Sequence, residues 1–192
     1  MFEERARTRR DAAAADSGSW YALVVKPRHE KAVARSLSYK GLTEFLPVYG
    51  QRRRWSDRVK RLELPLFPGY VFCQFPLQSK TDVLATPGVR SIVAFGSRPA
   101  PVAAGEIEAV RAMVASGLTV QPWPYLERGQ AVAIRTGPLR GLTGRLAQAG
   151  DSWQVVVNVD LLRRSVAVTT GRDSIEVLAP AVPAGRPSER AV

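Results

Sequence analysis

Cysteine and histidine are nearly absent from this sequence, which has one of each, Cys73 and His29, in 192 residues. A single cysteine excludes an internal disulfide framework and a cysteine-rich zinc site. No hydrophobic run approaches the roughly 20 residues that a membrane-spanning helix needs, and residues 1–19 lack the apolar segment of a secretory signal. We therefore expect a cytoplasmic protein that uses no metal and no cofactor.

Clusters of catalytic side chains are also lacking. The acidic residues are scattered along the chain, as at Asp57, Glu63, Asp82 and Glu106. An enzyme acting on nucleic acid needs grouped metal-binding carboxylates or a nucleophile beside its base, so we expect no catalytic activity. His29 is either a solvated side chain at a helix start or a contact to a base or phosphate. Cys73 falls in an apolar run, which favours a buried structural thiol.

Positive charge is abundant and unevenly distributed. The formal net charge is +11, and residues 20–60 alone carry ten lysines and arginines against three acidic residues, a net +7. A uniformly basic surface would not concentrate most of its excess in forty-one residues. This distribution indicates a polyanionic partner, most simply a nucleic acid.

The most informative stretch is "LPLFPGYVF", residues 64–72. Pro68 fixes its own φ and Gly69 tolerates a positive φ, so a turn or bulge is expected just before a strand that begins at Tyr70. In that strand Tyr70, Phe72 and Gln74 point to one face, and Val71, Cys73 and Phe75 point to the other. One face belongs in a core, while the face with two aromatic residues needs a covering helix or a partner.

The order of patterns predicts two folded regions. Residues 20–117 alternate strands and amphipathic helices, which is typical of an α+β domain with an antiparallel sheet flanked by helices. Residues 127–178 contain five short β-rich runs punctuated by glycine, which favours a small all-β barrel. Residues 118–126 carry two prolines without periodicity and are predicted to be a linker. Residues 1–19 and 179–192 are predicted to be flexible tails.

The basic residues of the first region fall in two places. One group lies where the first strand meets the first helix, and the other lies in "QRRRWSDRVKRLEL", which has no apolar face and is predicted to be an exposed hairpin or loop. A lone tryptophan there is suited to stacking on an unpaired base. The candidate nucleic-acid-binding residues are Lys26, Arg28, His29, Arg52, Arg53, Arg54, Trp55, Arg58 and Lys60. The alternative for the second group is a solvated hairpin.

Several of these segments together resemble the NusG-type transcription elongation and antitermination factors. They are "WYALVVKPRHEKAV", "LPLFPGYVF", "TPGVRSIVAFGSRPAPV" and "GQAVAIRTGPLRGLTG", in that order, within residues 20–178. The "RHEK" and "RRRWSDRVK" segments look most like the specialised paralogues of the UpxY and LoaP type. The last segment resembles the KOW motif, whose positions are matched by Gly129, Val132, Ile134, Gly137, Pro138, Gly141 and Gly144.

The resemblance implies an N-terminal NGN domain joined to a small SH3-like KOW barrel. It also implies that an apolar depression of the NGN domain docks on the clamp helices of the largest subunit of bacterial RNA polymerase. The matching positions are Trp20, Tyr21, Pro68, Gly69, Tyr70 and Phe72. Trp20 and Tyr21 are open to a second interpretation, in which they belong to the core.

The resemblance thus implies a factor that suppresses pausing or termination while contacting non-template DNA, nascent RNA or both. The alternative is a structural, RNA-binding ribonucleoprotein component, since ribosomal proteins also carry KOW motifs. The loop at Leu161 and Leu162 lacks the aromatic residue that housekeeping members present to a ribosomal protein, which argues against a ribosomal partner. Strong β preference at Val155 to Val157 predicts a barrel that does not refold into helices. We expect a monomer, because no heptad pattern is left over.

Overall fold

The computed structural model describes residues 18–55 and 58–178, and within 52–61 it describes the backbone only. The predicted tails, except for residues 18 and 19, therefore lie outside the described residues. The helices are α1 (Glu30–Tyr39), α2 (Lys80–Leu84) and α3 (Ala104–Ala115). The strands are β1 (Ser19–Val25), β2 (Thr43–Phe45), β3 (Val48–Trp55), β4 (Arg58–Pro65), β5 (Tyr70–Phe75), β6 (Val89–Ile92), β7 (Ala94–Phe95), β8 (Arg98–Pro99), β9 (Pro101–Val102), β10 (Val120–Trp123), β11 (Ala131–Ile134), β12 (Thr143–Ala149), β13 (Ser152–Val159), β14 (Arg164–Thr170) and β15 (Ile175–Val177).

The first sheet is built around two strands rich in apolar residues, β1 and β5. Its order is β2-β5-β1-β6, with β9 also paired to β1, and β1 and β5 run antiparallel with Ala22 opposite Phe72. Side chains alternate as predicted: Phe72 joins one buried cluster, while Val71 and Cys73 join another on the opposite face. Because a strand side chain changes face at every residue, the two faces of this sheet carry separate cores.

Helices cover both faces of the first sheet. α1 packs Val33 and Leu37 against the face of Val71 and Cys73. α3 belongs to the other cluster, through buried side chains that recur at helical spacing, namely Ile107, Val110 and Met113. The predicted mixed α/β region with an antiparallel sheet is confirmed.

The second sheet is antiparallel throughout, with the order β10-β14-β13-β12-β11-β15. Five of its strands, β11 to β15, coincide with the five β-rich runs of the sequence, so the predicted all-β region is confirmed. Residues 118–126, predicted to be a linker, contain β10, in which Pro122 lies opposite Val166 of β14. β10 is an edge strand, where the missing N–H of a proline leaves no ladder hydrogen bond unmade. Pro122 is therefore compatible with a strand there.

Candidate functional site

The Pro-Gly turn, Phe67 to Tyr70, joins β4 to β5 and is held on both sides. Gly69 has a φ of +85°, the left-handed conformation that glycine adopts without steric cost. Its carbonyl oxygen accepts a hydrogen bond from the backbone N–H of Val25 at 2.9 Å. Its own N–H donates to Oε1 of Glu30 at 2.9 Å. The predicted turn is present, and β1 and α1 fix its position.

The face that carries Tyr70 and Phe72 is not left open. Phe72 is fully buried and Trp20 is only 6% exposed, because α3 covers them and its Arg111 guanidinium lies 5.4 Å from the centre of the Trp20 ring. Phe72 instead makes an edge-on contact with Phe67, at 5.4 Å between ring centres. Trp20 therefore belongs to the core, and the face of Phe72 is covered by a helix of the same chain. Tyr70 is half-buried and Pro68 is exposed.

Tyr21 does not share a surface with the other candidate docking residues. It lies on the opposite face of β1, where its ring packs 4.7 Å from that of Phe75. Two aromatic residues that sequence analysis did not select, Phe45 and Tyr49, are partly buried against the cluster of Phe72. Their positions two residues on either side of Pro47, at the end of β2 and the start of β3, could have indicated that they lie close together.

The second sheet lies against this same face. The guanidinium of Arg164, the first residue of β14, is 5.5 Å from the centre of the Tyr70 ring. The backbone N–H of Asp160 donates to Oε1 of Glu106 in α3 at 3.3 Å. We call these two interactions the intersheet contacts. Burial raises the pKa of Glu106, and the nearby carboxylate of Asp160 raises it further, while the backbone hydrogen bond opposes both.

A polar network extends from the intersheet contacts. The hydroxyl of Tyr125 donates to Oδ1 of Asp160 at 2.8 Å, and this hydrogen bond raises the pKa of Tyr125. The guanidinium of Arg163 lies 4.1 Å from the Tyr125 ring centre and pairs with Glu127. Leu161 and Leu162 pack against the main apolar cluster. The loop of Leu161 and Leu162 thus contacts other parts of this chain.

The strand-to-helix junction is a basic, exposed loop. Lys26, Arg28 and His29 are all exposed, and Arg28 has a φ of +65°, which is uncommon for a residue other than glycine. The N–H of Lys26 donates to the carbonyl of Gly88 at 2.8 Å, and the N–H of His29 donates to the carbonyl of Lys26 at 3.0 Å. The candidate nucleic-acid residues of this loop are therefore presented on an ordered backbone.

The remaining basic residues lie on a hairpin formed by β3 and β4, as predicted. Their register places Arg52 opposite Arg61 and Arg53 opposite Lys60, while Trp55 lies opposite Arg58. Their side chains, and that of Arg54, lie outside the described part of the chain.

One ion pair connects the hairpin to the junction. Nζ of Lys31, in the first turn of α1, lies 3.1 Å from Oε2 of Glu63 in β4. Both side chains are exposed, so the pair adds little stability. It nevertheless shows that the base of the hairpin and the start of α1 are neighbours. The two groups of basic residues therefore belong to adjacent parts of one surface.

The residues that match the KOW motif in sequence have structural roles in the second sheet. Val132 and Ile134 are buried in the second sheet, and the N–H of Gly141, which has a φ of +89°, donates to the carbonyl of Ile134 at 2.8 Å. A Cβ on Gly144 would lie 2.7 Å from the carbonyl oxygen of Val156. Gly129 lies just before β11, and Gly137 and Pro138 lie in the loop between β11 and β12.

Groups suited to metal binding or catalysis are not assembled. Within residues 18–55 and 58–178, no three histidine, cysteine or acidic side chains are placed to hold a metal ion. Cys73 is buried as predicted, and burial, reinforced by the nearby Glu44 carboxylate, raises the pKa of its thiol to about 12. In the same part of the chain, every helix is too short or too polar to cross a membrane.

Comparison with known proteins identifies the first region. Residues 18–111 match the family model described as transcription termination factor nusG. This segment is a NusG family domain. It contains the Pro-Gly turn, the basic hairpin and the strand-to-helix junction, and it ends within α3. We refer to residues 18–111 as the NusG domain.

Comparison with solved structures gives matches over most of this chain. The structure entitled "Domain interaction in Thermotoga maritima NusG" has a TM-score of 0.53 and 21% sequence identity, and the match covers 84% of this chain and 97% of that one. At that identity the likeness establishes the fold alone. The MjSpt4:Spt5 complex in conformation B matches with a TM-score of 0.29 and 17% identity, over 84% of this chain and 97% of that one. No curated protein sequence matches this chain.

Proposed function

We propose that this protein is a transcription elongation factor that binds RNA polymerase through the Pro-Gly turn and Tyr70. The observation that carries the proposal is the NusG domain together with its turn, where Pro68 is exposed and Tyr70 is half-buried. An aromatic side chain on a rigid turn is a suitable anchor, since association hot spots favour tyrosine. The partner surface in this proposal is the clamp helices of the largest subunit of a bacterial polymerase.

The proposed docking surface contains fewer accessible residues than the sequence predicts. Phe72 and Trp20 are buried beneath α3, so they support the shape of the docking surface from within. Tyr70, with Pro68 beside it, provides the accessible part. Replacing Phe72 would create a core cavity and destabilise the protein by about 3–5 kcal/mol. Tyr70 is therefore the informative position for mutagenesis.

In the arrangement seen here, Arg164 lies over the Tyr70 ring. We propose that polymerase and the second sheet compete for this ring, so that docking requires the intersheet contacts to break. The population of the open form would then scale the apparent affinity for polymerase. A closed factor that opens on its target would limit binding to polymerase at unsuitable places.

The basic surface supplies the second part of the proposed function. Contacts to phosphates without sequence preference give dissociation constants of about 10⁻⁴ to 10⁻⁶ M, too weak to select a site on a genome. Tethering to polymerase raises the local concentration to about millimolar, which is enough for such contacts to be occupied. The junction and the hairpin would then contact non-template DNA or nascent RNA and suppress pausing or termination. Trp55 would stack on an unpaired base.

The finer features of the proposal rest on the sequence resemblance and on the composition of the chain. We infer a specialised, antitermination-type paralogue of the UpxY or LoaP kind, with the second sheet acting as a KOW domain. We infer that it is cytoplasmic, monomeric and without catalytic activity or cofactor.

The experiment is an in vitro pausing and termination assay with bacterial polymerase. One variant reverses the charge of Arg52 to Arg54, and a matched variant reverses Arg98, Arg128 and Arg140, three exposed arginines that are not among the candidate binding residues. The proposal predicts that the hairpin variant loses its effect on pausing and that the matched variant retains it. Equal activity of the hairpin variant and the wild type would contradict the nucleic-acid role. Affinity for structured RNA without any affinity for polymerase would indicate a ribonucleoprotein component.

A further inference from the structure

The basic loop at residues 26–29 and the Pro-Gly turn share one anchoring residue. Val25, just before the loop, donates its N–H to the carbonyl of Gly69 at 2.9 Å. Glu30, just after the loop, accepts the N–H of the same Gly69 through Oε1, also at 2.9 Å. Both ends of the loop are therefore attached to a single residue. The loop and the turn form one structural unit.

The Glu30 carboxylate is unusual for its burial. It is 7% exposed, and among the described residues it is the only charged side chain that is buried. Burying a carboxylate is unfavourable unless it accepts hydrogen bonds. Its place in the first turn of α1 offsets part of that cost, because the helix dipole favours negative charge there. The side chain thus satisfies a backbone donor of the turn from inside the helix.

The loop itself has a backbone that needs such support. Arg28 has a φ of +65°, and conformations of this kind persist only where the surroundings determine them. Attachment at both ends to Gly69 restricts the path of residues 26–29. The same attachment restricts Gly69, which directly precedes Tyr70. Release of the Glu30 hydrogen bond would therefore loosen the basic loop and the docking turn together.

We propose that Glu30 is a positioning residue that couples the polymerase-docking turn to the nucleic-acid-binding loop. It touches neither partner; it holds Tyr70 and Arg28 in a fixed relation, so that docking on polymerase presents the loop to the nucleic acid. This inference rests on the proposed function. It adds to that function a side chain that links its two surfaces.

Three variants of the full-length protein test the role. Glu30→Gln keeps an oxygen that accepts the Gly69 N–H, while Glu30→Ala removes it. Asp82→Ala is the matched control, since Asp82 is an exposed acidic residue in the first turn of α2. The direct readout is hydrogen exchange of the Gly69 amide by NMR. Loss of a hydrogen bond to a carboxylate predicts exchange faster by about tenfold or more in Glu30→Ala. We expect a smaller increase in Glu30→Gln, whose neutral amide oxygen is a weaker acceptor, and wild-type exchange in Asp82→Ala.

The functional readouts are the affinities for core RNA polymerase and for single-stranded oligodeoxythymidine. We expect Glu30→Ala to weaken both by up to about tenfold, and Glu30→Gln to bind both partners more tightly than Glu30→Ala does. Thermal denaturation checks that the variants are folded at the assay temperature. A purely structural role would lower stability and leave both affinities of the folded protein unchanged, which would overturn the inference.

Two further variants separate this inference from the proposed function. Tyr70→Ala must weaken polymerase binding and Arg28→Ala must weaken oligonucleotide binding for the proposed function to hold. If both do so while Glu30→Ala binds both partners like the wild type, the positioning role is wrong and the proposed function remains. If neither does so, the proposed function is wrong.

Discussion

Replacing Arg164 with alanine should strengthen binding to RNA polymerase. The Arg164 guanidinium lies 5.5 Å from the centre of the Tyr70 ring, and a cation–π contact at an exposed site is worth about 0.5–1 kcal/mol. Loss of this contact lowers the free energy of opening by the same amount, so the open form becomes more populated. Since about 1.4 kcal/mol corresponds to a tenfold change in an equilibrium constant, the dissociation constant should fall by about two- to fivefold while the closed form still predominates.

The assay is a titration of fluorescently labelled full-length protein with bacterial core polymerase, read by anisotropy. Arg172→Ala is the matched control, because the Arg172 guanidinium lies at the same 5.5 Å from the ring of Trp153, within the second sheet. We expect the control to bind like the wild type. Equal or weaker binding by Arg164→Ala would refute the competition between polymerase and the second sheet for Tyr70.

Three other predictions concern packing, ionisation and charge. Gly144→Ala should lower the free energy of unfolding by about 1–3 kcal/mol, since the added Cβ would lie 2.7 Å from a backbone oxygen of β13. Gly105→Ala, in α3 with open space around it, should instead raise the free energy of unfolding by about 0.5–1 kcal/mol. Urea denaturation measures both variants, and equal effects would contradict the packing of β12 on β13. The thiol of Cys73 has a pKa of about 12 in the folded protein, whereas an unfolded thiol has a pKa of about 8.5. Between these two pH values the stability of the wild type should therefore fall with rising pH more steeply than that of Cys73→Ala. Identical slopes would show that the thiol is not buried. Neutralising Arg52 to Arg54 should reduce the slope of log affinity for DNA against log salt by about two to three, and an unchanged slope would exclude the hairpin from the contact.

The sequence was sufficient to predict the local structure of the site. The alternation along β5 follows from a strand period of two, and the Pro-Gly turn follows from the conformational limits of Pro68 and Gly69. The hairpin was predicted because a long basic stretch without an apolar face cannot be buried. Each of these features depends on residues close to one another in the chain.

The arrangement of distant parts could not be predicted in the same way. The pattern of α3 predicts an apolar stripe at Ile107 and Val110, but it does not identify the surface that the stripe covers, so Phe72 was expected to face a partner. The contact of Arg164 with Tyr70 joins residues almost a hundred positions apart. The hydrogen bond from Gly69 to Glu30 spans 39 positions. Neither pair leaves a periodic signal in a single sequence.

The proposed function depends above all on binding to polymerase through Tyr70. Full-length wild type and Tyr70→Ala are each applied with bacterial core RNA polymerase to a size-exclusion column at moderate salt. Tyr39→Ala, which removes a tyrosine that is 86% exposed on α1, controls for loss of a surface aromatic. We expect co-elution of the wild type and of Tyr39→Ala, and its loss in Tyr70→Ala. Co-elution of Tyr70→Ala at the wild-type level, or no binding by the wild type, would contradict docking through Tyr70.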